Sequence, residues 1–366
     1  MDGVASKAPE VEAAGSEPDL SAHTGIRSIA PLLPERRELG AGSAASLPAA
    51  RDSGAGVSAA QLLSPGTCVD GKYIICDVLG TGGSATVYAA EQVGLKRVVA
   101  FKLYPLGAET SPALRERFER EAELLARVQH ENVVAVFDSG RLDDGSPYLV
   151  VQRLQGQSLA SHLASAGPLP LEEAVELALQ VANALAALGA AGITHRDVKP
   201  DNLVLDPLPD GRTLVKLVDF GIALSDELEG AGSSEGLMGT PHYMAPEQVS
   251  GAPIDARCDQ YALGATLYEM LTGRTPHNGE SLSELARAIM FAPITPVRAL
   301  RPDCPAALEA IIMRALAREP RDRFASARAL KQALEGWRAR DVAPALGPKG
   351  AQLEDTLRVP TGRPAA

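Results

Sequence analysis

All fourteen aromatic residues of this chain, seven Tyr, six Phe and one Trp, lie between Tyr73 and Trp337. Aromatic side chains bury the largest area per residue, so the packed core has to form inside that span. The flank before it differs in kind. Of residues 1–65, 36 are Ala, Ser, Gly or Pro, a composition that cannot bury enough apolar surface to offset the entropy of ordering. Residues 1–66 are therefore expected to be a disordered tail. Within it, Ile26–Leu33 followed by Glu35, Arg36 and Arg37 is a short apolar run. A docking motif for a partner has that form, although a chance apolar patch has it more often. Residues 338–366 hold four Pro and no aromatic and read as a second tail. One folded unit of about 265 residues, 73–337, remains.

Charge and cysteine usage remove several function classes. The chain has 35 Lys+Arg against 46 Asp+Glu, a net charge of −11, so no nucleic-acid partner bound through phosphate neutralisation is expected. Cys68, Cys76, Cys258 and Cys304 form no Cys-x-x-Cys pair. That argues against a zinc site or disulfide scaffold and suits a reducing, cytoplasmic setting. Residues 1–20 lack a basic start and an apolar core, so no signal peptide is expected. The most apolar long stretch, Ala174–Ile193, carries Glu176 and Asn183 and reads as a core helix, with no membrane span expected.

The first third of the unit reads as strands with one helix. Tyr73–Leu79 and Thr86–Ala90 flank a Gly-rich turn, and Arg97–Leu103 is a third β-rich run. Ser111 offers a helix N-cap with Pro112 at the first helical position, and Leu114, Phe118, Leu125 and Val128 follow at helical spacing. Val133–Phe137 and Tyr148–Val151 read as strands joined around the turn Asp143-Asp144-Gly145. From Leu171 onward helices dominate, interrupted by β runs at Leu203–Leu205 and Leu214–Phe220. The fold class is α+β, a small β-rich lobe followed by a larger helical one.

The chemistry begins at Leu79-Gly80-Thr81-Gly82-Gly83-Ser84-Ala85-Thr86-Val87. Glycines between two strands let backbone N–H groups approach phosphates with no Cβ in the way. No Gly-Lys-Ser/Thr follows, so this is not a P-loop. Lys102 lies in an apolar β run, and Glu121 lies on the stripe of Phe118 and Leu125. An inward carboxylate needs a partner, because an unpaired buried charge costs several kcal/mol; Lys102 is the expected one. Thr194-His195-Arg196-Asp197-Val198-Lys199-Pro200-Asp201-Asn202 then places a carboxylate, an amine and an amide within one short loop. Asp197 can accept a hydroxyl proton, Lys199 can offset charge on a transferring phosphoryl group, and Asn202 can offer an oxygen to a hard cation. Asp219-Phe220-Gly221 supplies a further carboxylate with a glycine to turn the chain, and Gly239-Thr240-Pro241-His242-Tyr243-Met244-Ala245-Pro246-Glu247 follows.

In this order, and in these local settings, the motifs resemble the eukaryotic-type (Hanks-type) Ser/Thr protein kinases of the bacterial kind, over Tyr73 to about Trp337. The resemblance implies the bilobal kinase fold: N-lobe 73–151, hinge 152–156 and C-lobe 157–337. It implies transfer of the γ-phosphoryl of ATP, with Mg²⁺, to Ser/Thr hydroxyls of protein substrates and of the chain itself. Leu79, Gly80, Thr81, Gly82, Gly83, Ser84, Ala85 and Val87 would cover the nucleotide. Lys102, paired with Glu121, would hold its α/β-phosphates. Asp197 would orient and deprotonate the acceptor, assisted by Lys199 and braced by Thr240, and Asn202 and Asp219 would hold Mg²⁺. Asp259 is expected to take donors from the catalytic-loop backbone, and Glu247 to pair with Arg323. Two positions depart from the family pattern: Ala85 fills the third glycine position, and Gln152 replaces a usual hinge glutamate beside the gatekeeper Val151.

Two other readings predict different sequences. A pseudokinase scaffold would have lost Lys102, Asp197 or Asp219, and all three are present. A small-molecule phosphotransferase of kinase-like fold should lack Ala245-Pro246-Glu247 and Asp219-Phe220-Gly221. With no acid in Gln155-Gly156-Gln157-Ser158 past the hinge and Asp201 as the one acid counted beside the catalytic loop, weak or no preference for Arg upstream of the acceptor is expected. Arg196 is expected to be answered by autophosphorylation at Ser234 or Ser233, with nearby acids such as Glu229 and Glu235 as the competing partners. The chain reaches Ala366 with no span or sensor domain after the kinase region, so its input is expected through tails or partners.

Overall fold

Short β-branched and aromatic runs, each closed by a turn, build a six-stranded antiparallel sheet in the order β1-β2-β3-β4-β6-β5. Its strands are β1 (Cys68–Val69), β2 (Tyr73–Thr81), β3 (Thr86–Gln92), β4 (Arg97–Leu103), β5 (Val136–Arg141) and β6 (Pro147–Val151). The computed structural model describes residues 63–82, 85–104, 112–220 and 241–341. All of them lie in the second of the chain's two units, Ser58–Ala366. One side of the sheet is closed by the buried rings of Tyr73, Phe101 and Tyr148, with Phe101 and Tyr148 stacked at 4.5 Å. Both tyrosine hydroxyls reach carboxylates, Tyr73 to Asp138 at 2.8 Å and Tyr148 to Asp70, so burying the rings strands no polar group.

Helix α1 (Pro112–Ala126) starts at the proline, whose missing N–H costs nothing in the first turn. Phe118, Ala122 and Leu125 are buried, and Phe118 meets Tyr104 edge-on at 5.0 Å, pinning α1 to the end of β4.

The second lobe contains a three-stranded sheet, β7 (Gln157–Ser158), β8 (Leu203–Pro207) and β9 (Thr213–Leu217). Around it lie α2 (Leu159–Ala166), α3 (Leu171–Ala190), α4 (Pro246–Ser250), α5 (Arg257–Thr272), α6 (Leu282–Phe291), α7 (Val297–Leu300), α8 (Ala306–Ala315) and α9 (Ala327–Asp341). Helix α5 is buried on every side from Cys258 through Tyr268, which marks it as the centre of the lobe. Among the described residues α3 alone is long and apolar enough to cross a membrane, and 56% of that window is buried inside the fold.

The lobes are tied together close to the site. Val134 N donates to Leu217 O at 3.1 Å and Leu217 N to Asn132 O at 2.9 Å. Asp206 Oδ1 accepts from Gln155 N at 3.0 Å and Gly156 N at 3.2 Å. A Cβ on Gly156 would fall 1.8 Å from Leu205 O, so only glycine lets the hinge lie this close to β8.

Several boundaries differ from the sequence reading by a few residues, four of them for a clear local reason. Strand β1 precedes Tyr73, too short to show a pattern of its own. Strand β5 starts at Val136, because Val133 bridges to Leu217 instead. Strand β9 stops at Leu217, since Asp219 takes a positive φ of 57° that no strand accommodates. Helix α9 runs through Arg338, which pairs with Glu176 on α3, into residues assigned from composition to the tail.

Candidate active site

The loop between α3 and β8 is held in place from behind. Asp259 on α5 is 3% exposed, and its oxygens accept from His195 N and Arg196 N, both at 2.8 Å. Burial pushes the Asp259 carboxyl up, and the two N–H donors offset part of that. His195 Nδ1 accepts from Asp197 N at 3.3 Å, which leaves Nε2 to carry the proton and donate to Val218 O at 3.0 Å. Arg196 has a φ of +67°, a left-handed conformation that a non-glycine residue holds only when its surroundings enforce it.

Burial holds His195 below the usual imidazole range, and burial with Arg318 pushes His277 down to about 4. Such a histidine takes up its proton more readily in the unfolded chain. The stability it gives is full above about pH 6.5 and falls as pH drops below that, by about 1.4 kcal/mol per pH unit per group. The urea midpoint should therefore decline between about pH 6.5 and pH 5. His277→Phe should flatten that decline, and an unchanged slope would show that His277 does not contribute.

With its backbone fixed, the loop converges its side chains on Asp197. Lys199 Nζ donates to Oδ1 at 2.9 Å and Oδ2 at 2.8 Å, and Asn202 Nδ2 to Oδ2 and to Asp197 O, both at 2.8 Å. Asn202 is buried and donates through Nδ2, so Oδ1 is its acceptor end, the end suited to a hard cation.

The first lobe presents the facing wall. Register places Gly80 opposite Val87, Val87 opposite Lys102 and Lys102 opposite Leu149, so these side chains share one face of the sheet. The next row on that face is Ala89, Ala100 and Val151. Gly82 N bonds Ala85 O at 2.9 Å and closes the Gly-rich hairpin, with Leu79 exposed beside it. Lys102 Nζ meets Asp219 Oδ1 at 2.7 Å across the cleft. Burial works against its ammonium, but Tyr104 and Asp219 outweigh burial and raise the Lys102 pKa. Glu121 is half-buried on the α1 stripe of Phe118 and Leu125. Phe220 lies under the loop, 4.9 Å from the His195 ring.

Thus Lys102, Asp197, Lys199, Asn202 and Asp219, along with Gly80, Thr81, Gly82, Ala85 and Val87, belong to described structure. Gly83, Ser84 and Thr240, like Ser233 and Ser234, lie outside the described residues. The arrangement puts a hydrogen-bonded carboxylate, two cations and two hard-oxygen donors around a cleft with a glycine hairpin above it. A family model described as the protein kinase domain matches residues 73–334. The chain belongs to the protein kinase family. Curated relatives of this kinase include the Ser/Thr-protein kinase Pkn1 of Myxococcus xanthus, 39% identical over 266 residues, and PrkC of Bacillus subtilis, 34% identical over 262. Each match covers 72% of this chain but only 38% and 40% of those proteins, so the kinase matches about two fifths of their length. The PknI kinase domain of Mycobacterium tuberculosis aligns with a TM-score of 0.60 at 32% identity, over 75% of this chain and 99% of that one.

Glu247, in the first turn of α4, is anchored by a buried ion pair. Arg323 donates to Glu247 Oε1 at 2.5 Å and Oε2 at 2.7 Å, and to the carbonyls of Ala317, Arg257 and Arg318 at 2.8, 2.9 and 3.1 Å. Every guanidinium N–H is used, which is what a buried arginine requires.

Sequence reasoning missed two features of the kinase site. The alanines at 89 and 100 are small residues of a period-2 row set by Val87 and Lys102, a signal that needs the register. Glu269 on α5 accepts from Tyr243 Oη at 2.6 Å, and burial and the Asp201 charge hold its carboxyl up. Asp201 is therefore not alone beside the catalytic loop. A separate groove of about 920 Å³ between α3, α9 and the β8–β9 hairpin contains none of the candidate catalytic residues. Its Asn132, Gln180 and Asn183 side chains are bonded to one another, so its floor asks for no ligand.

Proposed function

We propose that this kinase transfers the γ-phosphoryl of ATP to Ser and Thr hydroxyls of proteins, its own included. The observation that carries the reading is Asp197, held by Lys199 and Asn202 opposite the Lys102–Asp219 pair. Asp197 takes the acceptor hydroxyl's proton on a carboxylate oxygen, and Lys199, already at that carboxylate, lies where it can offset charge on the passing phosphoryl group. Lys102, with Glu121 as its partner on α1, holds the α/β-phosphates, while the hairpin from Leu79 to Val87 covers them. The donors at hand fit a hard cation: Asp219 and the Oδ1 of Asn202, completed by phosphate oxygens. Bound there, Mg²⁺ would neutralise charge on the β- and γ-phosphates. Thr240, outside the described residues, is assigned by the family resemblance to bracing Asp197 and Lys199, and the reducing setting suggested by cysteine usage supports a cytoplasmic role in signalling.

Substrate choice and switching extend the same reading. Asp201 and Glu269, two carboxylates beside the loop, favour a basic side chain near the acceptor more than Asp201 alone would. A peptide array should therefore enrich Arg or Lys at one position, and Glu269→Gln should weaken the enrichment by about 1 kcal/mol or less, as for a solvent-screened pair. An array without basic preference would return the account to one acid. Arg196 Nε is buried and lacks an acceptor among the described residues, which supports a phosphorylated Ser233 or Ser234 as its partner.

The deciding assay incubates the purified full chain with labelled ATP and a generic protein substrate, with and without a Mg²⁺ chelator. Label should enter protein only without chelator; no label in protein under either condition would overturn the proposal.

A further inference from the structure

Gln248, the residue after Ala245-Pro246-Glu247, is 3% exposed, and both ends of its amide are committed. Oε1 accepts from Ala245 N at 3.0 Å, and Nε2 donates to Arg196 O at 2.9 Å, across 52 positions of sequence. The second bond falls on the peptide unit joining Arg196 to Asp197. Asp259 already holds the other side of Arg196 through its N–H at 2.8 Å. The strained residue, with its φ of +67°, is thus gripped at both its amide and its carbonyl. Glu247 next door is fixed by Arg323, so the grip on the carbonyl comes from an anchored segment and not a floating side chain.

We propose that Gln248 is a positioning residue for phosphoryl transfer: its amide sets the plane of the Arg196–Asp197 peptide and thereby aims the Asp197 carboxylate at the acceptor hydroxyl. This rests on Asp197 being the base. It also means that docking of the Ala245–Gln248 segment and readiness of the catalytic loop are one event, joined by the hydrogen bond from Gln248 Nε2 to Arg196 O. Among the described residues no hydrogen bond joins Gln248 to Lys102, Asn202 or Asp219, so ATP affinity is expected to stay nearly unchanged.

The test measures kcat, ATP KM and thermal stability for wild type, Gln248→Leu and Gln248→Glu in the full chain. Gln248→Leu should lower kcat by about 10- to 100-fold, the scale of a small misplacement of a reacting group, with ATP KM within about twofold. Gln248→Glu should show rescue on acidification. A protonated carboxyl can donate to Arg196 O and accept from Ala245 N, whereas a carboxylate faces the carbonyl with no proton to offer. The charged and titratable groups tied to its partners are Glu247, paired with Arg323, Asp259, the Arg196 guanidinium, and Cys258 and His195, whose ionisation burial opposes. Burial of the new carboxyl and the Asp259 charge favour the protonated form, against the Arg196 guanidinium. The ratio of Gln248→Glu to wild-type kcat should therefore rise as pH falls from about 8 to about 6. Wild-type kcat in both variants, or a ratio flat with pH, would overturn the proposal even if Gln248→Leu fails to fold. Full activity of Asp197→Asn would instead overturn the base assignment and leave the Gln248 contact to be judged by its own pH ratio.

Discussion

Asp197→Asn is expected to lower turnover by about 10²- to 10⁴-fold, the usual scale for removing a general base, while leaving the fold and ATP affinity unchanged. The substitution keeps the shape but replaces one acceptor oxygen by an amide NH₂. Lys199 Nζ bonds both oxygens and Asn202 Nδ2 bonds Oδ2, so either amide orientation turns a donor toward a donor. The acceptor hydroxyl also loses the atom that takes its proton. Steady-state kcat and ATP KM, with circular dichroism as the control for folding, check this. Near-normal kcat in a folded variant would remove Asp197 from the chemistry. Lys102→Met should also abolish transfer, with ATP affinity as the readout that separates it from Asp197→Asn.

Arg323→Met is expected to destabilise the domain by about 3–5 kcal/mol, the cost of leaving one partner of a buried ion pair alone. At roughly 2–4 °C per kcal/mol, the scale for domains of about 150–250 residues and hence near this one, the melting temperature should fall by roughly 6–20 °C. The effect is this large because Arg323 is fully buried and serves three carbonyls besides Glu247. Adding Glu247→Leu to Arg323→Met should recover part of the loss, since it removes the stranded carboxylate but not the stranded carbonyls. A double variant less stable than the single one would contradict this. A fall of under about 1 kcal/mol in Arg323→Met would mean that the pair is hydrated.

The parts of the site that were legible in the sequence are those carried by short, ordered motifs. His195, Lys199 and Asn202 lie within hydrogen-bond reach of Asp197 because a short loop leaves them little freedom, and β9 must deliver Asp219 nearby because it pairs with β8. The buried Asp259 was legible for another reason: an acid in a helix crowded by Tyr261, Leu263 and Leu267 has to find donors. What escaped depended on register or on contacts distant in sequence. Nothing near Glu269 announces that it neighbours Asp201, and Gln248 looks like any polar residue after a proline. Ala89 and Ala100 acquire meaning only when β3 and β4 are aligned. Boundaries moved where backbone geometry overruled composition: Asp219 ended β9 early, and Arg338, paired with Glu176, carried α9 into residues that composition assigned to a tail.

The central claim is that Asp197 drives phosphoryl transfer to Ser and Thr. Its most direct test is acid hydrolysis and phosphoamino-acid analysis of protein labelled by wild type and by Asp197→Asn, with labelled ATP and Mg²⁺. The account predicts phosphoserine and phosphothreonine from wild type and at most about a hundredth of that label from the variant. Label confined to phosphotyrosine, or equal labelling by both proteins, would contradict it.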